Sequence, residues 1–147
     1  MSDLTDLKPV LWENYEIGQT ASFTKTISEE DVMKFAEVTG DYNPIHVNPE
    51  YAKTQMFGKQ VAHGALSSGL ISAVLGFKLF GPGILYGGQT VRFVAPVFFG
   101  DTLTAVATVK EKFTKKEGKL KFIICDTIVK NQDDVVVTSG EGTIVFM

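Results

Sequence analysis

The run "GALSSGLISAVLGF" at positions 64–77 constrains the fold more than any other part of the chain, because it contains no charged residue. A helix that spans a bilayer needs about 20 apolar residues, so this run is too short to cross a membrane. A helix without a charged face is normally surrounded by other elements. The run therefore predicts a helix buried at the centre of a domain.

The C-terminal half supplies the strands that would surround this helix. Turn residues separate four β-like runs, which occupy positions 88–98, 101–113, 119–130 and 134–146. Helices that come first and antiparallel strands that come last are typical of an α+β domain. We expect a single domain over 1–147, with one curved antiparallel sheet wrapped around the apolar helix. The open edges of such a sheet invite pairing with a second copy.

Two further helices are predicted before the apolar run. After a strand at 20–27, Ser28 is a suitable N-cap for a helix that ends at Gly40. Asn48 and Pro49 then predict the start of a short helix that continues to position 57.

Composition narrows the classes of partner. The formal net charge is −3, and the lysines cluster only around "KKEGK", which is typical of a solvated hairpin. This pattern argues against nucleic-acid binding. Cys125 is the only cysteine, so an internal disulfide is impossible, and its apolar surroundings predict a packed thiol. The acidic N-terminus lacks the apolar core of a signal peptide, so we expect a cytoplasmic protein without a membrane anchor.

The stretch "GDYNPIHVNPEYA" at 40–52 is the strongest candidate for chemistry. Asp41 and His46 have reference pKa values of about 3.9 and 6.5, so the pair could share one water, with one group removing its proton. Asn43 could orient that water without titrating. In the alternative interpretation, Asp41 and Asn43 only stabilise a turn and His46 is a surface histidine.

The second histidine opens the apolar helix at His63-Gly64. The first amide groups of a helix have no partner within it, and glycine lets a ligand approach the backbone closely. Such a helix start stabilises an anion, for example a developing enolate oxygen. The alternative is a plain helix start without a ligand.

These motifs resemble a known family. "GDYNPIH", followed after sixteen residues by "HG", is similar to the Gly-Asp-x-Asn-Pro-hydrophobic-His motif of the MaoC-like, (R)-specific enoyl-CoA hydratases. The resemblance continues through "AHGALSSGLISAVLG" and "VRFVAPVFFGDTL" and covers about 15–147. One departure is Ala65, where a larger residue, often methionine, is common, and it bears on substrate length.

The resemblance implies a hot-dog fold and a homodimer, or a higher homo-oligomer, that joins two sheets. It also implies that Asp41 and His46 are the catalytic pair and that Gly64 is the oxyanion amide. The implied reaction is the reversible addition of water to a trans-2-enoyl-CoA, which gives the (R)-3-hydroxyacyl-CoA in fatty acid or polyhydroxyalkanoate-type metabolism. Coenzyme A is then part of the substrate, and no cofactor or metal is expected.

Substrate contacts are predicted along one face of the apolar helix. Gly64, Ser68, Ser72 and Leu75 share that face by their spacing, and His63 precedes it. We predict that Ser68 and Ser72 line the acyl chain and that Leu75 closes the pocket, which favours short chains of about four to six carbons. In the alternative, Leu75 only packs in the core.

Other functions fit parts of the same pattern. A 3-hydroxyacyl-[acyl-carrier-protein] dehydratase would use the same chemistry on another carrier, and hot-dog domains also serve as acyl-CoA thioesterases, because fold does not fix function. Asp41, His46 and His63 could instead form a metal centre with two histidines and one carboxylate. A non-catalytic acyl-binding module is the remaining alternative.

Overall fold

The computed structural model describes residues 7–147, and the prediction that the chain lacks a signal peptide rests partly on residues outside that range. A short 3₁₀ turn at Trp12–Asn14 precedes the main elements. The helices are α1 (Glu29–Thr39), α2 (Pro44–Val47), α3 (Pro49–Lys53) and α4 (Gly64–Ala73), and a π-helical segment, Val74–Leu79, continues α4. The strands are β1 (Thr20–Thr26), β2 (Ile84–Gln89), β3 (Arg92–Phe93), β4 (Thr102–Lys115), β5 (Leu120–Lys130) and β6 (Val136–Phe146).

The strands form one antiparallel sheet in the order β1-β4-β5-β6-β2, and the short β3 also pairs with β6. The α+β prediction of a single antiparallel sheet is therefore confirmed. Register shifts interrupt β4 between Val109 and Glu111, and β2 between Tyr86 and Gly88. Such bulges increase the local bend and twist of a sheet, which helps it curve around a helix.

The core lies between α4 and the inner face of the sheet. Along β4 the inward positions alternate with outward ones, and Ala105 and Ala107 are fully buried. Leu70, Ile71 and Val74 of the helical segment pack into the same apolar cluster. Small side chains on the strand let the helix approach closely, and larger ones on the helix fill the space between them.

The sheet covers one side of α4, where the predicted burial is observed, whereas the other side is exposed in the single chain. Ala65, Gly69, Ser72 and Gly76 lie on an exposed side of the helical segment, and Phe77 is 80% exposed. Sheet and helix each cover only one side of the other, and the small residues leave little apolar surface uncovered. Within residues 7–147 no helix combines the length and apolar character needed to cross a membrane.

The capping residues act as the sequence predicts. Ser28 and Asp31 form a reciprocal capping box at the start of α1, and Gly40 ends the helix with a φ of 82°, a conformation that favours glycine. Asn48 caps α3 through Tyr51 N–H, but that helix ends at Lys53 rather than at position 57.

The predicted strand over 88–98 is wrong. β2 ends at Gln89 and β3 holds only two residues, after which the chain leaves the ladder before Pro96, which cannot donate to it. The Val97 carbonyl instead accepts a hydrogen bond from Ala62 N–H at 2.8 Å. This bond joins the chain after β3 to the segment that leads into α4.

Cys125 lies on the inner face of β5 and is fully buried, as the sequence predicts. Burial raises the pKa of its thiol to about 12, with a smaller contribution from the negative charge of Asp126. The thiol is therefore a packed, protonated group.

Two glycines of β6 let neighbouring segments approach its inner face. A Cβ at Gly140 would lie 1.8 Å from the carbonyl oxygen of Thr90, and a Cβ at Gly142 would lie 2.8 Å from a methyl group of Leu75. The first contact involves backbone, which cannot move aside like a flexible side chain.

We therefore predict that Gly140→Ala lowers the free energy of unfolding by at least about 2 kcal/mol, because overpacking that displaces backbone is strongly destabilising. Urea denaturation followed by circular dichroism measures the change. Gly69→Ala is the matched control, since its Cβ would meet no atom within 4 Å. An unchanged unfolding midpoint for Gly140→Ala would contradict the close approach of the two segments.

Candidate active site

The loop after α1 is built from consecutive local hydrogen bonds. The Asp41 carboxylate accepts from Asn43 N–H at 3.2 Å, and the Asn43 side-chain oxygen accepts from Ile45 N–H at 3.2 Å. Pro44 occupies the first position of the one-turn helix α2, where a missing N–H costs nothing. His46 therefore lies within a helical turn, whereas the sequence predicted a loop. Asn43 caps that turn, and its role in positioning water stays a prediction.

His46 has one ring nitrogen committed to the backbone. Its Nδ1 lies 2.7 Å from the carbonyl oxygen of Val61. A carbonyl only accepts, so Nδ1 carries the proton and the neutral ring presents Nε2 as a free acceptor. Gln60 Nε2 also donates to the His46 carbonyl at 2.9 Å, which ties α2 to the segment before α4. The free Nε2 is the atom suited to accept a proton from water.

His63 is 2% exposed and makes two contacts with this loop. Its Nε2 lies 2.9 Å from the backbone oxygen of Asp41, and its ring stacks on that of His46 with centroids 3.9 Å apart. Burial lowers the pKa of His63, and a positive charge on His46 lowers it further, whereas the bond to Asp41 opposes the shift. His63 is thus a neutral ring at neutral pH.

Asp41, His46 and His63 form one compact group, in which a carboxylate oxygen and one nitrogen of each ring all lie within 4.8 Å of one another. A metal ion bound by both rings must lie in the plane of each, about 2.0–2.1 Å from the nitrogen. Rings stacked with only 30° between their planes do not direct two lone pairs at one point. The geometry therefore favours acid–base chemistry by Asp41 and His46 over a metal centre.

Gly64 begins α4 beside these residues. The preceding His63 makes no side-chain capping bond, so the first amides of the helix are not covered by a cap. A Cβ at Gly64 would lie 2.9 Å from the ring of Phe93, so only glycine fits without displacing that ring. The start of α4 therefore offers an uncapped amide against an aromatic wall.

A cavity of about 450 Å³ brings His46 and Gly64 onto one surface. This volume is in the range of small-molecule sites. The walls are mainly apolar, and the Ser67 and Thr138 hydroxyls, 2.7 Å apart, add a buried polar pair. The lining residues are His46, Phe57, Val61, Ala62, Gly64, Ser67, Phe93, Val94, Ala95, Pro96, Val97 and Thr138.

Several of the predicted site residues lie away from this cavity. Ser72 is on the exposed side of α4, and Leu75 is fully buried against β6. Ser68 also lies outside the lining, and its hydroxyl is buried without a partner among the described residues. The side of α4 that lines the cavity therefore differs from the predicted one. Ser67, three residues after Gly64, is the serine that points toward β6 and the cavity.

Sequence reasoning missed the residues that come from distant segments. Phe57, Phe93 and Val94 line the cavity from the turn after α3 and from the chain at β3. Of the missed residues, Thr138 is the one that the sequence could have indicated. It interrupts the apolar run of β6 at an inward position where a valine would be expected.

Comparison with known proteins places this site in a family. Residues 13–131 match the MaoC like domain. The chain is 46% identical over 133 residues to an (R)-specific enoyl-CoA hydratase of Rhodospirillum rubrum, covering 90% of this chain and 89% of that protein. It is 40% identical over 141 residues to a 3-hydroxybutyryl-CoA dehydratase of Methylorubrum extorquens, covering 96% and 87% respectively. The chain belongs to the MaoC-like domain family.

The fold agrees with that membership. The unliganded R-hydratase PhaJ1 of Pseudomonas aeruginosa superposes with a TM-score of 0.84 at 41% identity, covering 92% of this chain and 84% of that one. The architecture is the hot-dog fold, an antiparallel sheet curved around a central helix, and this part of the prediction is confirmed.

The variant Leu75→Ala distinguishes the two interpretations of Leu75, as the residue that closes the acyl pocket or as one that only packs in the core. Because Leu75 is fully buried in the core, we predict a loss of about 2–5 kcal/mol of unfolding free energy, without a change in the preferred acyl-chain length. Denaturant unfolding and kcat/KM for crotonyl-, hexenoyl- and octenoyl-CoA measure the two effects. A shift of preference toward octenoyl-CoA would instead restore Leu75 as the floor of the acyl pocket.

Proposed function

We propose that this protein is an (R)-specific enoyl-CoA hydratase, a hydro-lyase that adds water reversibly to trans-2-enoyl-CoA. The observation that carries the proposal is the shared cavity wall of His46 and the uncapped start of α4 at Gly64. The Asp41 carboxylate lies outside that wall, within 4.8 Å of a His46 ring nitrogen. Two relatives support it, an (R)-specific enoyl-CoA hydratase and a 3-hydroxybutyryl-CoA dehydratase. The chain matches each of them over nearly its whole length.

The proposed reaction uses only groups of this chain and one water. The Gly64 N–H would bind the thioester carbonyl oxygen, and the charge that develops there makes the β-carbon electrophilic. Asp41 and His46 Nε2 would hold the water, whose oxygen adds to the β-carbon while a proton reaches the α-carbon. One carbon–carbon π bond and one O–H bond of the water break, and one C–O and one C–H bond form, so atoms and charge balance without a cofactor or metal.

Coenzyme A is the carrier that the surface favours over an acyl carrier protein. An acidic carrier protein would need a free basic surface, whereas two lysines of the β4–β5 hairpin are engaged. Lys112 donates to the Tyr15 carbonyl at 2.6 Å and lies over the Trp12 ring, and Lys121 pairs with Glu13. We accordingly propose an acyl-CoA substrate, a role in fatty acid or polyhydroxyalkanoate-type metabolism, and a cytoplasmic location.

Incubation with crotonyl-CoA tests the reaction class and its stereochemistry. We expect the enoyl absorbance to fall without release of free thiol, and the product to be oxidised by an (R)-specific 3-hydroxyacyl-CoA dehydrogenase but not by an (S)-specific one. Release of thiol would identify a thioesterase, and a product accepted only by the (S)-specific enzyme would refute the stereochemical part.

Asp41→Asn and His46→Gln test the catalytic pair. Each change removes proton transfer and roughly keeps side-chain volume, so kcat should fall by about 10²–10⁴-fold. Circular dichroism should show that both variants remain folded, because neither residue belongs to the apolar core. A variant that keeps more than about a third of the wild-type rate would remove that residue from the mechanism.

We further propose a homodimer formed through the edge strand β2. Within the described sheet, β2 and β1 are the two edges, and the exposed side chains of β2 include Leu85 at 54% and Tyr86 at 39% exposure. The β1 edge instead carries polar threonines together with Lys25, and a lysine on an edge strand discourages pairing. Joining two copies at β2 would hide the apolar edge and extend the sheet.

Light scattering should therefore give a mass of about twice the 16.1 kDa chain at micromolar concentration. Leu85→Lys should shift the protein toward the monomer, because lysine protects an edge from pairing. Ser22→Lys on β1 is the matched control and should leave the dimer intact. A monomeric wild-type protein with full activity would contradict the proposed assembly.

A further inference from the structure

We infer that His63 is a positioning residue, which fixes Asp41 and His46 relative to each other without contacting the substrate. This differs from the substrate contact that the sequence predicted for it. The inference rests on the proposed function for its kinetic consequences, and a spectroscopic measurement tests it independently.

The first of its two contacts anchors the backbone of the catalytic loop. His63 Nε2 must be protonated, because its partner at 2.9 Å is the carbonyl oxygen of Asp41, which can only accept. The bond joins the start of α4 to a loop 22 residues earlier in the chain. Since His63 is 2% exposed, water has little access to compete for this bond. The backbone of Asp41 is therefore held at a fixed point relative to Gly64, and the bond from Asn43 N–H restrains the carboxylate.

The second contact orients the imidazole of His46. A hydrogen bond from Nδ1 to Val61 O leaves that ring free to rock about one axis. The stacked ring of His63, with centroids 3.9 Å apart, blocks one side of this motion. Phe35 contacts the His63 ring in turn, at a centroid distance of 4.8 Å, and supports it from α1. The free Nε2 of His46 is thereby directed by two independent restraints.

The remaining nitrogen argues against a purely structural role. His63 Nδ1 is buried and has no partner among residues 7–147. A buried polar atom without a partner is rare and costs stability, and an apolar ring could fill the same space without that cost. His63 is 2% exposed, so substrate contact does not explain the histidine either. Only the combination of an N–H donor and a flat ring accounts for both observed contacts.

Neutrality of His63 suits this role. The groups that face it are the backbone oxygen and carboxylate of Asp41, the His46 ring and the uncharged Phe35. A neutral His63 does not repel His46 when that ring takes up a proton. Burial lowers the pKa of His63 and so favours its neutral form.

Two variants separate the two contacts. His63→Gln keeps an N–H donor at a similar reach and removes the ring, whereas His63→Phe keeps a ring and removes the donor. We expect kcat for crotonyl-CoA hydration to fall about 10- to 100-fold in each, because small misplacements of reacting groups have effects of that size. KM should stay within about threefold, since no substrate contact is lost. Val38→Ala is the control on the same helix and should keep kcat within about threefold, because Val38 is 85% exposed on α1.

Nuclear magnetic resonance supplies the readout that does not depend on activity. The chain has 2 histidines, so each His63 variant leaves His46 as its only imidazole. We expect the His46 ring resonances to shift strongly in His63→Gln, which loses the stacked ring, and less in His63→Phe. Nitrogen shifts should still report Nδ1 as protonated in both, because Val61 O remains.

The outcomes distinguish this inference from the proposed function. If both His63 variants keep kcat while Asp41→Asn is inactive, the positioning role is overturned and the hydratase proposal stands. A rise in KM with unchanged kcat would overturn it in favour of substrate contact. If the wild-type protein does not hydrate crotonyl-CoA, the hydratase proposal fails, and unchanged His46 resonances in His63→Gln would then overturn the positioning role separately.

Discussion

The close approach of α4 to the inner face of the sheet is the constraint on which the other features depend. Ala105 and Ala107 of β4 and Gly142 of β6 make room for the helical segment, and apolar side chains of that segment fill the room. The bond between Ser67 and Thr138 fixes the helix against β6. Because the helix is held so near the sheet, its first residue, Gly64, lies at the mouth of a cavity rather than in open solvent.

The site combines a locally determined loop with a position set by long-range packing. Asp41 and Asn43 shape their loop through bonds that span only two residues, so this geometry depends on the local sequence alone. Its placement relative to α4 depends on His63 and on the bonds of α2 with Gln60 and Val61. A change anywhere in this connection would move the proton-transfer groups as a unit relative to the helix start.

The sequence determines the local features more completely than the tertiary ones. The Ser28 cap, the Gly40 stop and the six defining motif positions could be predicted because each depends on neighbouring residues. The cavity wall at Phe93 could not, since the chain around β3 is shaped by its contacts with β6 and with Ala62 rather than by its own β-like pattern. The exposure of Ser72 likewise depends on which side of α4 packs against the sheet. A helix without a charged face gives no sequence signal for which side that is.

The buried thiol of Cys125 makes this chain convenient for site-directed labelling. A thiol with a pKa raised to about 12 and no access to solvent reacts negligibly with maleimides near neutral pH. A cysteine placed at Met56, which is 87% exposed and adjoins the cavity-lining Phe57, would therefore be the one reactive thiol of the described chain. A fluorophore attached there would report the arrival of a ligand at the cavity without removal of the native cysteine.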